Sequence, residues 1–462
     1  MTSPDVVVVG GGFAGLSAAS RLAASGARVL VVEARAQLGG RATAFTDRAT
    51  GELVDNGQHV LFGCYRETFD FLRRVNAIDN VRFQRSLRIR YVDTLGRPSD
   101  LTCPPLPAPL HLLGAVLDWD PMPWRDRLSV LRLAGPLRRA RRELRKTGAV
   151  TITPPATVSE WLRAHRQGRK LTSWLWEPLA VAALNQAPEH ASAAPFVRVL
   201  AEMFGDDETA SALVLPVKPL HQMYAEPARA FIEAHGGSVR VNALARVIAG
   251  NGRVEGIEIR GERVAAPRVI AAVPWFGLRA LFGATAPSIL EPTFAAADGM
   301  ESQPIVTVNL WYDRRVMDDA FVGLPGRRMQ WVFDKRVAFA PSTSSGQGPS
   351  TGSGQGASHL SLVSSGATAL TSLSNEELTA MAAAEVSEAF PAARQARLLR
   401  ATAVREKQAT FSLAPGQPPR PPVTTGVEGL WLAGDWIDTG LPSTIESAVL
   451  SGHRAALAAL AR

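Results

Sequence analysis

The sequence contains only two cysteines, Cys64 and Cys103, among 462 residues. Two thiols cannot build a disulfide framework or a zinc site by themselves, and both lie in apolar stretches, so we expect buried, unreactive thiols and no metal centre. The chain also lacks any run of eighteen uninterrupted apolar residues, which argues against a membrane-spanning helix. A strand pattern begins already at residue 6, so we expect no signal peptide and a cytoplasmic protein.

Acidic residues are in deficit, because 42 Asp and Glu stand against 50 Lys and Arg and give a formal net charge of +8. The excess is mostly arginine and would favour an anionic partner such as nucleic acid, anionic lipid or an anionic cofactor. Composition alone does not choose among these partners. Length sets a looser bound, since 462 residues suit up to three domains of about 150 residues each, or one enzyme of two interleaved domains.

The first recognisable unit is a strand followed by a glycine-rich turn and a helix. Val6–Val9 are four β-branched residues, typical of a central parallel strand that is buried on both faces. Gly10, Gly12 and Gly15 match the pattern G-x-G-x-x-G. The first glycine allows a tight turn, the second lets a pyrophosphate approach the backbone, and the third lets the helix pack on the sheet. A helix over about residues 13–25 would offer free N–H groups to phosphates, so the unit predicts nucleotide binding.

A second strand and an acidic residue complete this unit. Residues 28–32 have an apolar strand pattern, and Glu33 ends it eighteen residues after Gly15. A carboxylate at this place can accept hydrogen bonds from both ribose hydroxyls of an adenosine. Because strand, turn, helix, strand and acid occur in this order, a chance glycine turn is the weaker interpretation.

The residues that follow narrow the type of nucleotide. Segment 33–41, Glu-Ala-Arg-Ala-Gln-Leu-Gly-Gly-Arg, resembles the corresponding segment of FAD-dependent amine oxidases and phytoene-desaturase-like proteins. The resemblance implies that Gly39 and Gly40 bring backbone to the flavin nucleotide. It also implies that Arg41 offers a permanent positive charge to the phosphates.

Two later stretches fit the same resemblance. Residues 55–59, Asp-Asn-Gly-Gln-His, stand where related flavoproteins bring the chain beside the isoalloxazine ring, and the alternative for His59 is a bond to backbone at a helix start. The spacing of apolar residues predicts that this helix covers residues 60–75. Near the end of the chain, a strand runs into Gly434 and Asp435, and a last helix turns its positive end toward the flavin.

The resemblance therefore implies FAD contacts drawn from the whole chain, including a backbone contact between Val247 and the adenine. The implied set is Gly10, Gly12, Phe13, Ala14, Gly15, Glu33, Ala34, Gly39, Gly40, Arg41, Gly57, Gln58, His59, Val247, Gly434, Asp435, Thr444 and Ile445.

The fold class that we expect is α/β, with a discontinuous Rossmann-like FAD-binding domain interleaved with an α+β substrate domain, as in amine oxidases and phytoene desaturases. Consecutive strand patterns between residues 237 and 274 resemble the strand and three-stranded meander that return the chain to the FAD domain. We expect FAD-binding parts at 1–75, 215–285 and 426–462, and substrate-domain parts at 76–214 and 286–425. Residues 341–358 contain a Ser/Gly-rich repeat that we expect to be disordered.

The segment 124–146 has a helical pattern and carries nine arginines and lysines around one apolar stripe. It is either a solvated helix face or a surface helix on anionic lipid, with Trp119 and Trp124 at the headgroup level. The second interpretation places the protein peripherally on the inner face of the cell membrane. Nucleic acid is a weaker alternative, since no recognised reading module accompanies the charge.

Three stretches together resemble the squalene-associated FAD-dependent desaturases, described as hydroxysqualene dehydroxylases of hopanoid synthesis. They are residues 55–65, the Trp-Glu-Pro-Leu motif at 176–179 with the Asn-Gln pair at 185–186, and residues 434–449. The resemblance implies a lipophilic isoprenoid substrate, an electron donor for FAD, and hydride delivery from reduced FAD to hydroxysqualene. Loss of hydroxide needs a proton, and Glu177, whose apolar neighbours favour its neutral form, is the candidate catalytic acid. The alternative for Glu177 is a solvated or N-cap-bonded side chain.

Three other functions use a similar fold. A carotenoid-type desaturase would remove hydride with oxidised FAD, and an amine oxidase would need a polar or aromatic cage for an ammonium group. Rab GDP-dissociation inhibitors bind prenyl chains without flavin. Prenyl binding without flavin is the weaker alternative, because the sequence keeps the residues of all the flavin motifs: Gly10, Gly12, Gly15, Glu33, Arg41 and Asp435.

Overall fold

The computed structural model describes residues 3–205, 207–283, 286–339 and 357–461. Its strands are β1 Val6–Val9, β2 Val29–Val32, β3 Ala44–Thr46, β4 Leu53–Asp55, β5 Leu61–Phe62, β6 Val81–Phe83, β7 Arg88–Val92, β8 Pro98–Thr102, β9 Leu213–Pro216, β10 Ser238–Arg240, β11 Ala245–Gly250, β12 Arg253–Ile259, β13 Glu262–Ala265, β14 Val269–Ala271, β15 Ser302–Tyr312, β16 Phe321–Gly323, β17 Trp331–Asp334, β18 Ser358–Ser365, β19 Leu398–Phe411 and β20 Leu430–Leu432.

Its α-helices are α1 Phe13–Ala24, α2 Arg66–Arg74, α3 Leu110–Leu117, α4 Trp124–Ser129, α5 Ala134–Thr147, α6 Val158–Ala164, α7 Arg169–Leu171, α8 Glu177–Leu184, α9 Ala193–Met203, α10 Glu226–Ala234, α11 Leu278–Phe282, α12 Glu291–Asp298, α13 Lys335–Ala338, α14 Asn375–Ala389 and α15 Ile445–Leu460. Two π-helical turns, Thr172–Trp176 and His221–Ala225, lead directly into α8 and α10. Within the described ranges, no helix has the length and apolar content needed to cross a membrane.

A five-stranded parallel sheet gathers strands from the beginning, the middle and the end of the chain, in the order β10-β2-β1-β14-β20. Alternate side chains of β1 point to opposite faces of this sheet. Val6 and Val8 join an apolar cluster with α1 and α15, whereas Val7 and Val9 join a second cluster with the antiparallel meander β11–β13. All four valines are buried, as the sequence predicts for a central parallel strand.

A seven-stranded sheet, in the order β19-β15-β18-β17-β16-β7-β8, forms the second part of the molecule. One face packs on α14 through Val306, Val308 and Leu310 of β15. Aromatic residues on the other face, such as Trp331 and Phe333, join helices α3, α5, α8 and α9 in a large apolar cluster. The predicted fold class is therefore confirmed, with a discontinuous Rossmann-like domain interleaved with an α+β domain.

The helix expected over residues 60–75 is shorter in the structure. Leu61 and Phe62 form β5, which pairs with β9, and α2 begins only at Arg66. A Cβ atom on Gly63 would lie 1.7 Å from the carbonyl oxygen of Thr209, so the backbone here lies directly against the segment that leads into β9. Pairing with a distant strand thus overrides the local helical spacing.

The basic and the Ser/Gly-rich segments also differ in detail from expectation. Segment 124–146 is helical, but a 3-10 turn, Val130–Leu133, separates α4 from α5. Residues 341–356 of the expected disordered insert lie outside the described residues. Ser358, which was expected at the end of that insert, begins β18, and its hydroxyl donates to Asp334 at 3.0 Å.

Two helical glycines differ in the space around them, so we expect their replacement by alanine to change the free energy of unfolding in opposite directions. A Cβ on Gly452 of α15 would lie 2.2 Å from the carbonyl oxygen of Ala14, whereas a Cβ on Gly135 of α5 would meet no atom of the described residues within 4 Å. We expect Gly452→Ala to lower the free energy of unfolding by about 1–3 kcal/mol through overpacking. Gly135→Ala should raise it by up to about 1 kcal/mol, because alanine loses less backbone entropy in a helix. Denaturant unfolding followed by circular dichroism measures both values, and equal effects would contradict the described packing.

Candidate nucleotide-binding site

The glycine-rich turn after β1 has no room for side chains at two of its three motif positions. A Cβ on Gly10, whose φ is +114°, would lie 2.3 Å from the carbonyl oxygen of Ala272. A Cβ on Gly15 would lie 1.9 Å from the carbonyl oxygen of Gly10. Gly12 is different, because among the described residues a Cβ on it would meet only Gly40 Cα, at 3.7 Å. The first and third glycines therefore serve the turn and the helix contact, and the second leaves an approach to the N-terminus of α1 open.

A second glycine loop lies opposite the first. The N–H of Gly39 donates to the carbonyl oxygen of Gly11 at 2.8 Å, and a Cβ on Gly40 would lie 3.2 Å from Gly12 Cα. Both Gly39 and Gly40 have positive φ, of +124° and +58°. Two backbone segments without side chains thus form a cradle of the kind that a pyrophosphate needs.

Tyr224, in the π-helical turn before α10, fixes this cradle from behind. Its hydroxyl donates to the carbonyl oxygen of Gly39 at 2.7 Å, and its ring stacks on Phe13 with centroids 3.6 Å apart. Phe13 and Ala14 are buried at the start of α1. No local pattern in the sequence pointed to Tyr224, because the contact joins two segments 185 residues apart.

Glu33 is buried at the end of β2 and is held by backbone. Its carboxylate accepts from the N–H of Gly11 at 2.8 Å and from the N–H of Arg35 at 2.9 Å. Ala34 is exposed beside it. Since each carboxylate oxygen can accept a second hydrogen bond, the group remains able to bind ribose hydroxyls while its orientation is fixed. Val247 of β11 is buried in the meander, and its expected adenine contact stays a prediction.

Arg41 and Asp435 form an ion pair with each other. Arg41 also donates to the carbonyl oxygen of Ala409 at 2.9 Å, and its guanidinium lies 5.2 Å from the ring centroid of Trp275. The hydroxyl of Ser443 donates to the second oxygen of Asp435. The sequence predicted a phosphate role for Arg41 and a cofactor role for Asp435. It did not predict that the two side chains meet.

The helix α15 begins at this ion pair. Thr444 is its N-cap, and the Thr444 hydroxyl accepts from the N–H of Ser447 at 3.2 Å. Gly434 precedes Asp435 with a φ of +155°, and its N–H donates to the hydroxyl of Ser451 at 2.8 Å. The positive end of α15, with Ile445 as its first residue, therefore lies next to Asp435, where it can interact with an electron-rich ring or a phosphate.

A buried lysine organises the segment 55–59. Lys335 of α13 is 3% exposed at its side chain and pairs with Asp55, which is equally buried. Its ammonium also donates to the side-chain oxygen of Gln58. Asp55 accepts in addition from the N–H of Leu220 at 3.0 Å. The sequence analysis did not identify Lys335. One signal was present, because the chain has only five lysines and its other basic residues among the 50 Lys and Arg are arginines.

His59 bonds to backbone, although no helix of the described chain begins there as the alternative interpretation required, and its expected place beside the flavin stays a prediction. Its Nδ1 lies 3.0 Å from the carbonyl oxygen of Gly57. Burial lowers the pKa of His59, and the nearby charge of Lys335 acts in the same direction, so the imidazole is neutral near pH 7. Gly57 itself leaves space, because a Cβ on it would meet its first atoms only at 3.9–4.0 Å. A flat ring can therefore approach the backbone at Gly57.

Glu177 is not joined to this cluster by any hydrogen bond or ion pair among the described residues. It is the first residue of α8 and is partly buried. Burial raises its pKa, and the charge of Glu189 acts in the same direction. Its proposed catalytic role remains a prediction.

The residues present fit FAD, since the cradle of Gly12 and Gly40, the oriented carboxylate of Glu33 and the helix end at Thr444 follow one another along the cleft.

We expect Glu33→Ala and Asp435→Ala each to lower FAD occupancy, because each removes a charge-assisted hydrogen bond worth about 1.5–3 kcal/mol. The ratio of flavin absorbance to protein absorbance measures this occupancy. Asp438→Ala is the matched control, since Asp438 is a neighbouring acid whose side chain is 62% exposed. Stoichiometric FAD in both cleft variants would contradict the assignment.

Comparisons with known proteins agree with this geometry. Residues 13–460 match the family model described as flavin-containing amine oxidoreductase. The chain is 29% identical to a hydroxysqualene dehydroxylase of Sinorhizobium fredii, over 99% of this chain and 98% of that protein. It is 24% identical to a 15-cis-phytoene desaturase of Synechococcus elongatus, over 99% and 96% of the two chains. The solved structure of an oxidoreductase from Methanosarcina mazei has the same fold, with a TM-score of 0.73 at 18% identity, and covers 99% of this chain and 100% of its own.

The resemblance predicted from three sequence motifs is thereby confirmed at the level of the family. A match over nearly the whole chain and a cleft shaped by backbone for a dinucleotide support the same conclusion, that this protein belongs to the flavin-containing amine oxidoreductase family and is an FAD-dependent oxidoreductase.

Proposed function

We propose that the protein converts hydroxysqualene to squalene with hydride supplied by reduced FAD. The observation that carries this proposal is the similarity to a hydroxysqualene dehydroxylase over 99% of this chain, which includes helices α3, α5, α8 and α9 as well as the cofactor cleft. The similarity to a phytoene desaturase is also full-length. A carotenoid-type desaturase that uses oxidised FAD is therefore the second candidate, and both candidates take a lipophilic isoprenoid.

Aromatic side chains between the seven-stranded sheet and helices α3, α5, α8 and α9 support an isoprenoid substrate. Tyr91 lies 5.2 Å from Trp119, 6.4 Å from Trp174 and 6.0 Å from Trp331, measured between ring centroids. These rings belong to the apolar cluster formed by α3, α5, α8, α9 and the seven-stranded sheet. Such an environment stabilises a hydrocarbon by removing it from water.

The reaction breaks the C–O bond of hydroxysqualene, forms a C–H bond with the hydride and releases the hydroxide, which takes a proton to leave as water. Bound FAD in its reduced form supplies the hydride. A separate electron donor must reduce the FAD, and the chain must supply the proton. Glu177 is the proposed proton donor, because its raised pKa favours the neutral form that can donate.

The direction of hydride transfer separates the two candidates. When protein whose flavin has been photoreduced is mixed anaerobically with hydroxysqualene, we expect the flavin to be reoxidised and squalene to form. Deuterium placed on the flavin should appear at the product carbon. The oxidised protein should turn over neither compound, and bleaching of oxidised flavin by a saturated isoprenoid with formation of a new double bond would establish desaturation instead.

The role of Glu177 has its own variant and control. Glu177→Gln should slow reoxidation by about 10²-fold or more, which is the usual contribution of a positioned general acid, while FAD stays bound. Glu428→Gln is the control, because Glu428 is an exposed acid that is not among the groups that shift the pKa of Glu177. An unchanged rate in Glu177→Gln would assign the proton to another donor.

We also propose that the protein collects its substrate at an anionic membrane. Five exposed apolar side chains lie close together in sequence and form what we call the apolar patch: Leu106, Leu110, Trp124, Leu128 and Leu131, each 44–66% exposed. The basic helix α5 follows directly, with Arg138, Arg139 and Arg142 exposed. Apolar side chains beside arginines are the combination that binds the interface of an anionic bilayer.

Charge reversal tests this membrane contact. Replacing Arg138, Arg139 and Arg142 by Glu should abolish sedimentation with anionic liposomes, since each basic residue near such a surface contributes about 1 kcal/mol. Flavin content should not change. Replacing Arg48, Arg85 and Arg253 by Glu changes the net charge equally on exposed residues elsewhere and should leave binding intact. Equal loss in both triple variants would mean that overall charge, and not this surface, determines binding.

A further inference from the structure

An apolar groove opens beside the apolar patch. Its walls come from α3, the turn Val130–Leu133 and α5, and include Leu110, Leu113, Leu131 and Leu137. We call it the α3–α5 groove. Its charged lining residues are Arg138 and Arg141 of α5, and no acidic side chain is among the described residues that line it.

Exposure decreases from one end of the groove to the other. Leu110 and Leu131, which also belong to the apolar patch, are 51% and 46% exposed. Leu137 and Trp176 are buried. The outer end therefore lies at the proposed membrane surface, and the inner end lies against Trp176 and Phe204 at the ends of α8 and α9.

The same two helices lead from the groove to the cofactor site. A second, smaller cavity is lined by Ala183 of α8 and Val199 of α9 on one side, and by Tyr65 and Thr444 on the other. Thr444 is the N-cap of α15, next to the Arg41–Asp435 ion pair. Ala183 lies seven residues after Trp176, which is about 10 Å along a helix axis. The groove and the cavity are thus neighbours along one pair of helices.

The helix that separates them is irregular at its start. Thr172–Trp176 form a π-helical turn, a feature that is frequent at functional sites. The indole N–H of Trp176 donates to the side-chain oxygen of Gln167 at 3.0 Å, and Gln167 in turn donates to the carbonyl oxygen of Ser129 at 2.8 Å. Trp176 is therefore held in place, and its apolar ring faces the groove without an unsatisfied donor.

We propose that the α3–α5 groove is the entrance for the isoprenoid chain, which passes from the bilayer along α8 and α9 to the cavity beside Thr444. This inference rests on the proposed function for its substrate. Leucine, tryptophan and phenylalanine surfaces match a hydrocarbon, and the two arginines at the groove match the phosphate headgroups of the surrounding lipid. An uncharged chain can enter such a groove without leaving a buried charge unpaired.

Two tryptophan substitutions in the first turn of α5 test the entrance. Ala134 is exposed and lines the groove, so Ala134→Trp should fill it without disturbing the core. Gly135 is the adjacent exposed residue and is not among the residues that line the groove, so Gly135→Trp is the matched control. Leu131→Trp fills the groove from the other side. If both filled variants lose labelling, local misfolding of one variant cannot explain the result.

The primary measurement needs no turnover. A squalene analogue carrying a diazirine, presented in anionic liposomes, should photolabel peptides from residues 110–141 in the wild type and in Gly135→Trp. In Ala134→Trp and Leu131→Trp we expect about tenfold less labelling, the loss that follows when two methylene groups are excluded from an apolar groove. Flavin content should not change in either variant, and liposome sedimentation should not change in Ala134→Trp, which alters no residue of the apolar patch. Reoxidation of the reduced flavin by vesicle-borne hydroxysqualene should slow in the same two variants.

Labelling that maps outside residues 110–141 in the wild type would overturn the inference, and so would full labelling of both filled variants. The proposed function would fail in a different way. If the labelling pattern is as expected but the wild type does not turn over hydroxysqualene, the entrance is supported and the proposed reaction is wrong.

Discussion

The ion pair between Arg41 and Asp435 is the contact on which the cofactor cleft depends, because it joins side chains 394 residues apart in the chain. Arg41 follows the second glycine loop, and Asp435 precedes the N-terminus of α15. Each partner is also anchored separately, Arg41 by the carbonyl oxygen of Ala409 and Asp435 by the hydroxyl of Ser443. The pair therefore holds the cradle and the helix end together, and these are the two parts of the cleft that fit a dinucleotide.

Further contacts of α15 with the first part of the chain support this closure. Glu446 accepts from the N–H groups of Glu67 and Thr68 at 3.0 and 2.9 Å, and so satisfies the free N-terminus of α2. His453 contacts the carboxylate of Glu67 at 2.5 Å. Gly452 allows the backbone of α15 to approach α1 at Ala14. The last helix thus serves both as a structural support of the first βαβ unit and as one wall of the cleft.

The sequence predicted those parts of the site whose chemistry is local. The roles of Gly10 and Gly15 follow from a turn and a helix contact within a few residues, and Glu33 follows from its place at a strand end. Lys335 and Tyr224 could not be found in this way, because each acts on a segment far away in the chain. The expected helix over 60–75 was too long for the same reason, since Leu61 pairs with Val214 of β9. Local spacing carries no information on such partners.

The position of β20 and α15 has a consequence for how the protein matures in the cell. During synthesis β1, α1 and β2 leave the ribosome first, while the surface of α1 at Ala14 and Ser17 remains uncovered until Gly452 has been added. At about 5–20 residues per second, this interval lasts roughly 20–85 seconds. Over that time the nascent chain presents an apolar helix face to chaperones and has no Asp435 with which to close the cleft. The cleft therefore has both of its walls only after β20 and α15 have been synthesised.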